Sequence, residues 1–349
     1  MTRNELEKMI EMGEVISKLD ISGADLSGAH FSGALFEGVS FRGCNLSGAG
    51  FRESVLVGCD FSDADLSAGD LRHVSVVKCS LPRAVLAGAM LIDSSIAESD
   101  LSGTSLCGAD LRFASIARSR LTAANLSRAN LGHTVIAETD TTGIDLSDTR
   151  LEKTTLMKAD LSASNLAGMS AEMTLLIEAK LTGQDLRGKS LVMCQFLGAD
   201  VSGCDLSGAI LTQCNFKDAN LSGTNLDNVK AEQVLFIGAK LTGASLRKAV
   251  LTQSLFVDAD LTEAVLSDAR MTQCNLMNAR CVRSRFMGSE LSYADFSHAD
   301  LSRADFSKAG LFRAVLHRVR DEGTVFTDRS AALGDDPDLA EAEDWPARH

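Results

Sequence analysis

Three kinds of residue in this chain have side chains suited to chemistry: histidine, cysteine and a long series of evenly spaced aspartates. The six histidines, His30, His73, His133, His298, His317 and His349, are scattered. None has a nucleophile at a spacing that would make a catalytic pair, and none stands at ligand spacing from two cysteines. Nine cysteines are an odd number, in a chain large enough to bury a core without disulfides. Aspartates such as Asp25, Asp65, Asp160 and Asp205 invite a reading as general acids or calcium ligands. Short acceptors placed where a chain turns bond neighbouring backbone N–H groups, and that structural role is the expectation. The chain therefore reads as a non-enzyme, with no catalytic residue, no metal site and no cofactor.

The elements that would position these residues follow from one period. Ala24-Asp25-Leu26-Ser27-Gly28 recurs in kind as Cys44-Asn45-Leu46-Ser47-Gly48 and Cys204-Asp205-Leu206-Ser207-Gly208. Taking the large apolar residue as the centre, sixty centres fall at every fifth position from Ile21 to Leu316 without an insertion or deletion. All but Thr141, Ala171, Ala231 and Cys281 are Leu, Phe, Ile, Val or Met. Two residues before each centre the chain is small, except at Ile144, Met169, Gln184 and Lys189, which predicts local distortion in that middle stretch. A period of five fits neither the 3.6 of a helix nor the 2.0 of a strand.

This A(D/N)LXX spacing resembles the pentapeptide-repeat family, of bacterial type, over residues 21–316. The resemblance implies an all-β fold: a right-handed quadrilateral parallel β-helix with one pentapeptide per side and about fifteen coils. At about 4.8 Å per coil its length would be on the order of 70 Å. The centre and the small residue two before it would both point inward, because a narrow interior accepts Leu or Phe at one position only if the alternate one stays small. Cys44, Cys59, Cys79, Cys194, Cys204, Cys214 and Cys274 take the small position and Cys281 a centre, so they read as core fillers, with Cys107 alone facing outward.

Each coil buries its face only against neighbours, so both ends need caps. Residues 1–20 are read as an N-terminal cap, with Leu6, Met9, Ile10 and Ile16 at helical spacing over residues 3–17 and Asn4 as N-cap. Residues 21–316 form the β-helix, and 317–349 a C-terminal cap with an acidic, mobile tail. Val325-Phe326 would cover the last coil, and Trp345 is a candidate docking element. The first residues are too polar for a signal peptide and no eighteen apolar residues run together. A cytoplasmic protein without membrane contact is expected.

Function then falls to an outer face. The side centred on Phe36 is unusually apolar. After its centres it carries Val57, Val77, Met157, Ile177, Leu197, Ile237, Val257 and Met277, with alanines between and Lys217 as a break. Before them stand Leu35, Val55, Val135, Leu175, Leu235 and Leu255. A stripe of this extent exceeds what a solitary soluble protein leaves exposed. It predicts a protein partner, in the manner of a secretion-linked adaptor, effector or immunity protein, or lateral pairing of two copies as a homodimeric spacer. A second row, Gln213, Gln233, Gln253 and Gln273, would bond amide to amide along the stack.

The resemblance also implies a rival, since quinolone-resistance members look like DNA to gyrase. The net charge of −13 agrees in sign. Setting aside the tail, whose nine acids and two arginines after residue 320 give seven negative charges, about six remain on the rest. A duplex of that length carries roughly forty, and no inserted loop occurs, so DNA mimicry ranks second. No basic patch interleaved with aromatics suggests direct nucleic-acid binding.

Overall fold

The computed structural model describes residues 2–345; Arg348 and His349 lie outside the described residues. Two compact units, Met1–Lys180 and Leu181–His349, make up the chain. Both are built as a parallel β-solenoid, about 16 turns in all. Backbone partners lie 20 residues apart on each of four sides, as in Asp20 with Ser40, Asp25 with Asn45, His30 with Gly50 and Leu35 with Val55.

One pentapeptide, Cys44–Gly48, shows why the period is five. The Cys44 N–H closes a turn on the Phe41 carbonyl at 3.0 Å; that of Asn45 reaches back to Ala24 at 3.0 Å. The Leu46 and Gly48 N–H groups reach forward to Asp65 at 2.6 Å and Ser67 at 2.8 Å. Only the Ser47 N–H lacks a carbonyl, and it donates to Asn45 Oδ1 at 3.2 Å. Buried or stacked backbone N–H groups must find partners, which accounts for the short acceptor before many of the centres. The same bond joins Ser27 to Asp25, Ser67 to Asp65, Ser162 to Asp160 and Ser207 to Asp205. The aspartates of the repeat thus take the expected structural role. The turn is closed by a residue in the left-handed region, such as Gly43 at φ +62°, where glycine is at ease.

The first unit departs from this pattern on one side. Three-residue strands replace turns at Leu35–Glu37, Val55–Val57, Ser75–Val77, Ser95–Ala97, Ser115–Ala117, Val135–Ala137 and Thr155–Met157, and with Ile16–Ser17 they form one eight-stranded parallel sheet. At the corner after these strands the small inward residue is Val39, Cys59, Cys79, Ser99, Ser119, Thr139 or Ala159. From Cys59 to Ser119 its N–H donates not to a turn carbonyl but to the next coil's side chain, as in Cys79 to Ser99 Oγ at 3.0 Å and Ser99 to Ser119 Oγ at 3.1 Å. Each hydroxyl in turn donates to the carbonyl two residues back, Ser99 to Ala97 at 2.8 Å and Ser119 to Ala117 at 2.9 Å. In the second unit alanine holds this corner, and the turn closes normally, as in Ala199 to Phe196 at 3.0 Å. From Cys79 to Ser119 the side-chain acceptor of the next coil thus accompanies the extended form, while strands Leu35–Glu37 and Thr155–Met157 are extended with Val39 and Ala159 at the corner. In the middle stretch, Ile144 and Met169 are buried while Gln184 and Lys189 are half-buried, and paired strands at Arg150–Glu152 and Ser170–Glu172 move the irregularity to the preceding side.

Centres and small positions fill both interiors. Phenylalanines stack in register, Phe41 on Phe61 at 4.7 Å, and Phe196, Phe216, Phe236 and Phe256 in one column at 4.6, 5.4 and 4.9 Å. Eight cysteines are buried and Cys107 is half-exposed; all nine are free. Burial pushes the Cys204 thiol up to about 11 and that of Cys274 up to about 12.

The caps differ in detail from the sequence expectation. The first helix, α1, spans Arg3–Glu11, capped by Thr2 in a reciprocal box with Glu5, so Asn4 is not the cap. It stops six residues early because Gly13, at φ +73°, donates to Ile10 O and the Glu14 N–H to Met9 O. Ile16 then joins the sheet. Arg3 donates to the carbonyls of Ser27 and Gly28, and Glu7 accepts from the His30 N–H, so α1 serves backbone groups that have no preceding coil. At the other end Val325–Phe326 pairs with Asp305–Phe306 as expected, Phe326 stacking on Phe306 at 5.2 Å. The acidic tail is largely exposed and carries a helix, α2 (Pro337–Glu343), whose end contacts Arg318, His298 and His317. Arg318 also donates to the Ala340 carbonyl at 2.8 Å.

Replacing Ser99 with alanine is expected to destabilise the protein by about 1–3 kcal/mol, the cost of stranding the Cys79 N–H. A shifted denaturant midpoint would show it, whereas an unchanged one would mean that the corner closes like its alanine counterparts. Native protein treated with a thiol reagent is expected to modify Cys107 and spare the other eight until unfolding, as read by intact mass. Several repeat aspartates are held below their usual range: Asp20 and Asp160 by the hydroxyl of the serine two residues on, and Asp185, down to about 2, by the Arg187 guanidinium and then its backbone N–H. A folded value below the unfolded 3.8 gives stability that is present above about pH 4 and lost as pH falls toward 2. The melting temperature should drop across that interval.

Candidate protein-binding face

The side centred on Phe36 is the candidate site. In the first unit its strands set two outward rows in register, one coil apart. Behind the centres run Glu37, Val57, Val77, Ala97, Ala117, Ala137 and Met157. Ahead of them run Leu35, Val55, Ser75, Ser95, Ser115, Val135 and Thr155, with Leu175 bridged to Thr155. The second row is thus aliphatic only at its two ends, with three serines between.

All fourteen expected face residues point outward. Leu35, Val55, Val135 and Met157 are 38 to 39% exposed, and Val57, Val77, Leu175, Ile177, Leu197, Leu235, Ile237, Leu255, Val257 and Met277 are half-buried against their neighbours. In the second unit Lys217, Asn215 and Asn275 break the rows. The compact patch there is Leu235, Ile237, Leu255, Val257 and Met277, and the column Phe196–Phe216–Phe236–Phe256 supplies the centres of the same side.

The face is edged by the left-handed corners, where side chains of successive coils meet, and in each unit one of these edges carries a polar row. In the first unit Glu98 lies between Lys78 at 3.8 Å and Arg118 at 3.5 Å, and Lys158 meets Glu178 at 3.7 Å. In the second, Gln213, Gln233, Gln253 and Gln273 form the expected ladder, each Nε2 donating to the next Oε1 at 3.0, 3.1 and 3.1 Å. Sequence reasoning missed Phe113, 53% exposed at φ +61° and stacked on His133 at 4.7 Å, beside the alanine rows. The signal was there: a bulky aromatic at the left-handed corner is rare.

Away from this apolar patch, His298, His317 and Glu343 form the one group among the described residues that could hold a metal ion. No helix among the described residues is long and apolar enough to cross a membrane.

Family models for pentapeptide repeats match residues 20–58, 44–81, 92–128, 124–162, 175–213 and 289–328, and one for a pentapeptide repeat region matches 209–286. Among solved structures the chain is similar to QnrB1, a plasmid-mediated fluoroquinolone resistance protein, at 21% identity over 57% of this chain and 91% of that one, with a TM-score of 0.36. It is also similar to HetL, involved in heterocyst differentiation regulation in the cyanobacterium Nostoc sp. strain PCC 7120, at 23% identity over 90% and 96%, TM-score 0.17. A pentapeptide repeat protein from the thylakoid lumen of Arabidopsis thaliana shares 32% identity over 32% of this chain and 70% of that one, TM-score 0.21. None of the curated proteins matches the chain.

Proposed function

The chain belongs to the pentapeptide-repeat family, and from that premise we propose that it is a non-enzymatic binding protein that grips or neutralises a protein partner through its aliphatic face. Solenoids of this family are typically structural or binding proteins. The observation that carries the reading is the pair of outward aliphatic rows, Val57 to Met157 in the first unit and Leu235 to Met277 in the second, each bordered along one edge by ion pairs or amides. An apolar strip with a polar rim has the composition of an interface core and its surround. Stacked rings stand behind the second-unit patch, so little ordering would be needed on binding. A secretion-linked adaptor, an effector or a toxin-immunity protein would use such a face.

The rival, mimicry of DNA toward a type II topoisomerase, asks for rows of a single sign. Many outward acids here meet bases one coil away: Asp63 with Arg83 at 2.7 Å, Glu263 with Arg283 at 2.6 Å, and Glu98 between two cations. Exposed pairs of this kind add little stability, but they cancel the field a phosphate mimic needs.

The test compares wild type with the Ile177→Glu/Ile237→Glu double variant, which leaves the interior untouched. A protein captured from host lysate by wild type, identified by mass spectrometry and confirmed with purified components, should bind the variant at least 100-fold more weakly. Equal retention of gyrase by both would transfer the reading to DNA mimicry. Light scattering that finds a dimer of wild type and a monomer of the variant, with no other protein captured, would leave a homodimeric spacer.

A further inference from the structure

We infer that the last coils of the second unit and α2 form a binding site for a divalent transition-metal ion of the zinc type, with His298, His317 and Glu343 as its ligands. The two histidines are nineteen residues apart in sequence, yet coil stacking makes them neighbours: the His298 N–H donates to the His317 carbonyl at 2.8 Å, and the rings stand 5.5 Å apart. Glu343, the last residue of α2, enters between them. Its Oε1 lies 3.0 Å from His298 Nε2 and its Oε2 3.2 Å from His317 Nε2, and one ligand atom from each residue can be chosen within 4.8 Å of the others.

That geometry suits a small ion. With bonds of about 2.0–2.2 Å, tetrahedral ligand atoms sit about 3.3–3.5 Å apart; the two contacts, made by different carboxylate oxygens, are near that spacing, and an ion would draw together a set whose atoms already lie within 4.8 Å. Two imidazole nitrogens and one carboxylate are a donor set for zinc and its neighbours, whereas calcium and magnesium prefer oxygen alone. His317 is 1% exposed and His298 about a third, which gives the site a closed floor and an open entry. Three protein ligands leave a fourth position for water.

The surroundings supply the rest. Without metal, His317 Nδ1 accepts from the Asp336 N–H at 3.1 Å, so Nε2 carries the proton and donates to Glu343. Metal at Nε2 moves that proton to Nδ1. Asp335 Oδ1, 3.9 Å from Nδ1, is the carboxylate placed to accept it, as a carboxylate behind a metal-bound histidine commonly does. The Asp336 N–H must then turn aside. Arg318 touches Glu343 Oε2 at 3.2 Å but is also held by Asp344 at 2.5 Å and the Ala340 carbonyl, so it keeps partners when the ion takes Glu343. The ion would pin α2 over His317, which occupies the outward position of the same side that carries Ile237 and Val257 further back.

Zinc chloride titrated into the full chain by calorimetry tests this, with circular dichroism confirming the fold because unfolded cysteines also bind zinc. Expected are one zinc per chain, at least tenfold weaker binding in His298→Ala and in Glu343→Gln, and slower amide exchange over residues 336–343 with zinc present. His298 is partly exposed and Glu343→Gln keeps its size, so neither variant should unfold the cap, and amide exchange without zinc checks this. No saturable binding, or equal binding by wild type and both variants, would overturn the proposal and leave the trio as a hydrogen-bonded latch.

Discussion

A chain that turns every five residues must satisfy five backbone N–H groups per side, and carbonyls reach only four of them. In Cys44–Gly48 the fifth, on Ser47, is taken by the side chain of Asn45. That one bond explains the short acceptor where one stands before a centre. The other four fix the coil at 20 residues, because each carbonyl must come from the coil above or below or from the turn itself. It also sets what the ends require. Glu7 takes the His30 N–H and Arg3 the carbonyls of Ser27 and Gly28, while Thr327 and Asp335 accept from Lys308 and Arg318 at the far end. The caps are replacement hydrogen-bond partners before they are hydrophobic lids.

Within that frame one side of the first unit takes a different backbone path. Where the corner residue is Ser99 or Ser119, a side-chain oxygen takes the N–H that a turn would have used, and the preceding residues extend as a strand. Extended residues alternate in and out, so Val55 and Val57 stand outside while Leu56 fills the interior. The left-handed corners on either side then become the rims, since their side chains project where successive coils bring them together. The aliphatic face and its polar border arise from the same stacking, which gives the proposed binding function a structural origin in the repeat itself.

The register of the interior, the structural part played by the aspartates, the burial of eight cysteines, the glutamine ladder and the outward direction of all fourteen face residues are legible in the amino-acid order alone. They are so because they depend on local geometry repeated every five residues, and sixty repeats leave the period unambiguous. Features that depend on residues far apart in sequence, or on competition at an end, emerge only in the folded chain. The first helix stops at Glu11 because Gly13 turns the chain and Ile16 gains a strand partner. The serines at 75, 95 and 115 line up and interrupt the outer row only once the coils are stacked. The tail is held because His298, His317 and Arg318 converge on Glu343, four residues from two coils and a helix whose meeting no spacing announces.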